Sequence, residues 1–321
     1  MTQSPSDLGG FISASAASNT SSRAGLECLI MEPMGSYPPT VVNLALGGGA
    51  ARGLAHIGVL RGLAEDGVGI NGIAGTSMGS IIGALSAQGL DPDEIEGVFE
   101  AIDWPKVGSV LAGSVLGSAF YDLLTEIIGR GNIEDLPRPF AAICCDLDTG
   151  EEVVLRRGLV AEAVRASSAI PGLLSAFRIS GRNLVDGAVI EPVPVHAAAA
   201  LGPEPVLAVN VLKPPAPNLK PVHPLPRRSR RGVRSVVRDR FEGWLRDHPR
   251  DGIVVDGDLP GRWEAVMRSF HIMQYQLAAA RYRSDDIIEP EVGRFGWFDF
   301  PKVSEIVDEG YRAYRRRYAR R

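Results

Sequence analysis

The chain has 321 residues, a length that holds one large domain or two small ones. Its composition, 45% hydrophobic and 22% charged, is ordinary for a folded globular protein, and a net charge of −4 excludes a generally basic nucleic-acid binder. Three cysteines (Cys28, Cys144, Cys145) give neither a disulfide framework nor a zinc spacing, so a reducing, cytoplasmic compartment is the expectation.

Residues 1–38 are rich in Ser, Ala, Gly, Thr and Pro without an apolar period, and read as a mobile extension. They lack a basic stretch followed by an apolar one, so no secretory signal is expected, and no apolar run anywhere is long enough to span a bilayer. VVNLAL (41–46) is a short buried strand, followed by a helix over 54–64. GINGIAG (69–75) is a second strand, and SIIGALSAQG (80–89) is a helix ended by Gly89. Further strands are expected within 141–147, 153–155, 183–187 and 205–212, with a helix over 161–169. Strands alternating with helices indicate βαβ units and a mostly parallel sheet, an α/β fold. From 214 the chain turns Pro-rich and then Arg-rich, as a linker or insertion does. Helices are expected over 229–246, 262–282 and 303–321.

Three motifs carry chemistry. Gly47-Gly48-Gly49-Ala50-Ala51-Arg52-Gly53 lies between a strand and a helix. Glycines there let the backbone turn tightly and expose N–H groups as a cradle for negative charge. Such a loop serves either a dinucleotide or an oxyanion. The dinucleotide use wants an acidic residue at the end of the next strand, and Glu65 and Asp66 precede that strand instead. Gly75-Thr76-Ser77-Met78-Gly79 follows a strand and opens a helix, the context of a G-x-S-x-G nucleophile elbow. The turn lifts the Ser77 hydroxyl clear of the sheet and places it at a helix N-terminus.

A serine nucleophile needs a base. Of the five histidines, His56 reads as packing or capping and His223 falls in the Pro-rich stretch. His248 and His271 offer no convincing site either. Asp186 with His196 has the order of a triad, but His196 begins a helix, where a structural histidine fits better. The third motif, Asp186-Gly187-Ala188 at a strand end, supplies the alternative, a carboxylate bonded directly to the serine hydroxyl.

In this order, G-G-G-A-A-R-G, G-T-S-M-G and D-G-A resemble the patatin-like phospholipase family, above all its bacterial members related to the catalytic domain of neuropathy target esterase. LALGGGAARGLAHIGVL (44–60), DLDTGEEVVL (146–155), AVRASSAIPGLL (163–174), NLVDGAVIEPVPV (183–195) and DDIIEPEVGRFGWFDFPKVSEIVDEGYRAY (285–314) extend the likeness. The resemblance implies a three-layer fold, with a central mostly parallel sheet and helices on both faces. It implies a core over 39–213, a Pro/Arg-rich linker or lid over 214–261, and a helical segment over 262–321 that completes the same domain. It implies a Ser77–Asp186 dyad in an elbow framed by Gly75 and Gly79, with Gly187 and Ala188 completing the aspartate motif. The oxyanion hole would come from the N–H groups of Gly47, Gly48 and Gly49, with Arg52 and Gly53 supporting that loop. Where some relatives have a fourth glycine, this chain has Ala50.

The implied activity is serine acyl hydrolysis of a phospholipid, lysophospholipid or related ester, with no metal and no cofactor. The alternatives are acyl transfer by the same dyad, or a non-enzymatic adaptor that keeps the fold. Nucleic acid is not an expected partner. Residues 227–250 hold nine arginines with Val233, Val236, Val237, Phe241, Trp244 and Leu245 at helical spacing, and 311–321 place tyrosines among arginines. Both patterns suit peripheral contact at the inner face of a membrane; packing of their apolar stripes on the body is the competing reading.

Overall fold

The computed structural model describes residues 38–105, 118–215, 262–281 and 287–318. The expected N-terminal extension up to residue 37, the arginine-rich stretch over 227–250 with its helix, and residues 319–321 lie outside the described part.

The sheet is built from β1 (Val41–Leu46), β2 (Gly69–Thr76), β3 (Phe140–Asp146), β4 (Glu152–Leu155), β5 (Phe177–Ile179), β6 (Arg182–Asp186), β7 (Val206–Val209) and β8 (Ile287–Ile288). Bonded neighbours run β5-β6-β3-β2-β1-β7-β8, and β4 also pairs with β3. The stretch from β3 through β2, β1 and β7 to β8 is parallel, while β4 and β6 join β3 antiparallel. The helices are α1 (Ala55–Glu65), α2 (Met78–Ala87), α3 (Pro92–Glu100), α4 (Ser118–Ile128), α5 (Val160–Ser167), α6 (Val195–Ala199), α7 (Arg262–Arg281) and α8 (Val303–Arg317).

Strand alternation sorts side chains by size. Val42, Leu44 and Leu46 of β1, with Leu207 and Val209 of β7, join the main core with residues of α1, α2, α5 and α8. Ala45, Ala74, Ala141 and Ala208 face the other way, onto Val195, Ala197 and Ala198 of α6. Large residues make a thick helical layer on one face, and alanines let the short α6 lie close on the other. The result is a three-layer α/β fold with a mostly parallel central sheet.

The helix after Ser77 starts at Met78, two residues earlier than the sequence pattern places it, so strand and helix are one residue apart. In the terminal helix, Tyr314 and Tyr318 are buried in the main core. Arg315 pairs with Glu65 and Asp66, and the Tyr311 hydroxyl bonds Glu65. The aromatic side of residues 311–318 is thus spent on packing against α1, which corrects the membrane-facing expectation for that part of 311–321. Close approach explains the fit. A Cβ on Gly58 would overlap the Val307 carbonyl, and one on Gly310 would overlap the Ala55 carbonyl.

Candidate active site

The C-terminal ends of β1 and β2 carry the first two motifs. This is where ligands gather in parallel α/β sheets. Ser77 is the single residue between β2 and α2, and it holds φ 54° and ψ −122°. A non-glycine residue in that region costs about 1–3 kcal/mol, which the surrounding structure must offset. The flanking glycines are required by space. A Cβ on Gly75 would overlap the Gly79 carbonyl, and one on Gly79 would overlap the Leu46 carbonyl. Ser77 is itself buried, at 5% exposed.

Asp186 arrives by strand register. β2 pairs with β3 up to Thr76 opposite Ile143, and β6 pairs with β3 from Leu184 opposite Asp146 to Asp186 opposite Cys144. β4 occupies the other edge of β3 over Ala142 to Cys145. β2 and β6 therefore share one edge and meet head to head, so that Ser77 and Asp186 come together at the junction. The Ser77 hydroxyl hydrogen-bonds the Asp186 carboxylate. The Ala188 N–H donates to Asp186 Oδ1 at 2.9 Å. Gly187 passes against the strand, where a Cβ would overlap the Ile143 carbonyl. Burial pushes Asp186 up to about 7, and the bonds from Ser77 and Ala188 offset part of that rise.

The histidines lie elsewhere. His196 is exposed on α6, on the opposite layer from α2. The buried His56 donates from Nε2 to the Gly47 carbonyl at 2.7 Å, and burial lowers its pKa to about 4. It is a neutral brace for the glycine loop. His271 of α7 bonds the Lys213 carbonyl through Nε2 and is likewise held near 4 by burial.

The glycine loop crosses directly over Ser77 and the turn after Asp186. A Cβ on Gly48 would stand 3.2 Å from that of Ala188 and 3.3 Å from that of Ser77. Two of the three expected oxyanion donors are already engaged. The Gly47 N–H donates to the Val209 carbonyl at 3.1 Å, and the Gly48 N–H to the Pro192 carbonyl at 2.9 Å. Ala51 and Arg52 donate to the Trp297 and Gly49 carbonyls. This leaves the Gly49 and Ala50 amides without an acceptor among the described residues. Ala50 sits at φ 50°, a left-handed conformation that favours glycine. Arg52 is buried, with Nε donating to the Phe295 carbonyl at 2.8 Å, so it ties the loop to the segment after β8. Gly53 gives room to the Met78 side chain, whose Cγ would lie 2.5 Å from an added Cβ.

The roles of some site residues have no local pattern in the sequence, even where they fall in segments that carry the likeness. Trp297 and Phe295 hold the glycine loop through their carbonyls, from about 245 residues away in the chain. Met267 and Phe270 of α7 pack with Ile170 in a small apolar cluster, separate from the main core, that Leu173, Val189 and Trp297 border. Arg281 of α7 pairs with the buried Glu191, whose carbonyl accepts from the Thr76 hydroxyl. Main-chain contacts and single long-range pairs leave no periodic trace.

A family model described as patatin-like phospholipase matches residues 44–199. An uncharacterised NTE family protein of Mycobacterium tuberculosis is 38% identical over 183 residues, covering 55% of this chain and 50% of that one. Patatin-like phospholipase domain-containing protein 6 of Homo sapiens is 29% identical over 286 residues, covering 84% of this chain and 20% of that one. The chain thus spans about half the length of the first relative and a fifth of the second. Among solved structures, VipD from Legionella pneumophila aligns with a TM-score of 0.48 at 14% identity, covering 91% of this chain and 70% of that one.

Proposed function

Residues 44–199 belong to the patatin-like phospholipase family, and on that premise we propose that the chain hydrolyses lipid esters with Ser77 as nucleophile and Asp186 as base. The observation that carries the proposal is the head-to-head meeting of β2 and β6 on one edge of β3, which joins the elbow serine to a buried carboxylate. Asp186 with a pKa of about 7 is matched to proton transfer near neutral pH.

Asp186 accepts the Ser77 proton as Oγ attacks the ester carbonyl carbon. The carbonyl oxygen becomes the oxyanion, and the Gly49 and Ala50 amides with the N-terminus of α2 are the groups available to receive it. Collapse breaks the bond to the leaving oxygen, which takes the proton from Asp186 and departs as an alcohol or lysolipid. Water then gives a proton to Asp186 and adds to the acyl-enzyme. The second collapse returns that proton to Ser77 and releases the fatty acid. The substrate class is a phospholipid, lysophospholipid or related acyl ester. Residues 227–250 are the proposed membrane contact.

A fluorophosphonate probe, applied to wild type beside Ser77→Ala and followed by lysophospholipid turnover, tests this reading. Wild type labels and turns over, and Ser77→Ala does neither while keeping its melting temperature. Labelling that survives in Ser77→Ala overturns the nucleophile assignment. A serine that stays silent even in mixed micelles favours the adaptor reading.

A further inference from the structure

The turn after α5 touches the backbone of both dyad residues. Ser167, the last residue of α5, is fully buried. Its Oγ accepts the Ser77 N–H at 3.0 Å and donates to the Ile143 carbonyl of β3 at 2.6 Å. Two residues on, the Ala169 carbonyl accepts the Asp186 N–H at 3.0 Å.

The β2–β3 ladder ends where Thr76 stands opposite Ile143. One more step would bond the strands directly; instead a side-chain hydroxyl stands between them. This wedge has two consequences. Ser77 can leave strand geometry for φ 54° without orphaning its N–H. The Ile143 carbonyl, against which Gly187 packs, keeps its donor too. One turn thereby grips the nucleophile by a side chain and the base by a carbonyl.

We propose that Ser167 is a positioning residue: its hydroxyl clamps the main chain of Ser77 in the elbow conformation, and the 167–169 turn fixes the spacing of nucleophile and base. The inference rests on the reading of Ser77 and Asp186 as a dyad. Ser167 spends its hydroxyl on main-chain groups on both sides, so it acts through the geometry of Ser77. Ser167→Ala leaves a buried N–H and a buried carbonyl without this partner, and the elbow loses the constraint on its φ. The glycine loop is held by separate bonds to Val209, Pro192 and Trp297, so substrate binding is spared.

The experiment compares full-length wild type, Ser167→Ala and Ser167→Cys, the last keeping a weak donor and acceptor of similar size. Readouts are the fluorophosphonate labelling rate, kcat and KM on a soluble ester well below the melting temperature, and hydrogen exchange at the Ser77 amide. The clamp predicts that Ser167→Ala loses about ten-fold or more in labelling rate and kcat at unchanged KM, with faster exchange at Ser77. Ser167→Cys recovers part of the loss, and it carries the test if the alanine variant fails to fold. A hydroxyl that serves stability alone lowers the melting temperature but leaves kcat of the folded protein at the wild-type value, and that result overturns the proposal. If wild type itself never labels, the dyad reading has failed separately. Hydrogen exchange then decides the clamp: faster exchange at Ser77 in the variant supports it, and unchanged exchange overturns it.

Discussion

Replacing Asp186 by Asn separates what this carboxyl does for activity from what it does to stability. Burial raises its pKa from 3.8 to about 7. The folded state therefore holds the proton more tightly than the unfolded chain does. Below pH 3.8 both states are protonated and the group carries no penalty. The penalty grows as pH rises from there and is complete above about 7, where ionised Asp186 lowers stability by about 4 kcal/mol. Asparagine mimics the protonated acid at every pH, and its Oδ1 keeps the bond from Ala188. Asp186→Asn should thus be inactive yet more stable than wild type. The gap should widen by about 2–3 kcal/mol between pH 5 and pH 8, nearly all of it below pH 7.5. Urea unfolding of both proteins at four pH values measures the gap. The wild-type rate profile should lose activity on its acid side with a midpoint near 7, since only the ionised form can take the serine proton. A stability gap that does not change with pH would refute the reasoning, because it would mean that Asp186 ionises as an ordinary surface carboxylate does.

Three further substitutions probe the scaffold. Gly310→Ala places a methyl group on the Ala55 carbonyl and forces α8 off α1, so urea unfolding should show a loss of about 1–3 kcal/mol; an unchanged midpoint would contradict the close crossing. Ala50→Gly should be tolerated with near wild-type turnover, because relief at φ 50° offsets the extra freedom glycine gives the unfolded chain. Ala50→Val should lower stability by about 1–2 kcal/mol, and equal behaviour of the two variants would place Ala50 outside the left-handed region.

The parallel part of the fold is legible because it is local. Short apolar runs mark β1, β2 and β3, the first two beside glycines, and the helices between them carry their own periodicity. β5 and β8 escape the pattern because three and two residues are too few to show alternation. α3 announces itself only through its cap, where Asp91 and Glu94 bond each other's backbone and Pro92 opens the helix, a signal distinct from any apolar run. The terminal helix shows why composition misleads. Arginines interleaved with tyrosines look like a surface for lipid, yet Gly58 and Gly62 on α1 leave a groove that takes the tyrosine face, while Glu65 and Asp66 take Arg315. The partner that decided the matter lies 250 residues away.

The site divides along the same line. Gly75, Ser77 and Gly79 are legible because the backbone turn itself dictates them. Asp186 is legible as a carboxylate at a strand end, but its role depends on which edge of β3 takes β6, and no local pattern encodes that. The glycine loop shows the limit most clearly. Consecutive glycines reveal that N–H groups are exposed, but which of them stay free depends on the Val209 and Pro192 carbonyls, contributed by segments about 145 to 160 residues further on. Those two acceptors consume the first two amides and shift the available pair to Gly49 and Ala50. The proposed base depends on distant segments in the same way. A strand bonded to the end of β3 delivers Asp186 to Ser77 directly, and the turn after it holds the carboxylate through the Ala188 N–H.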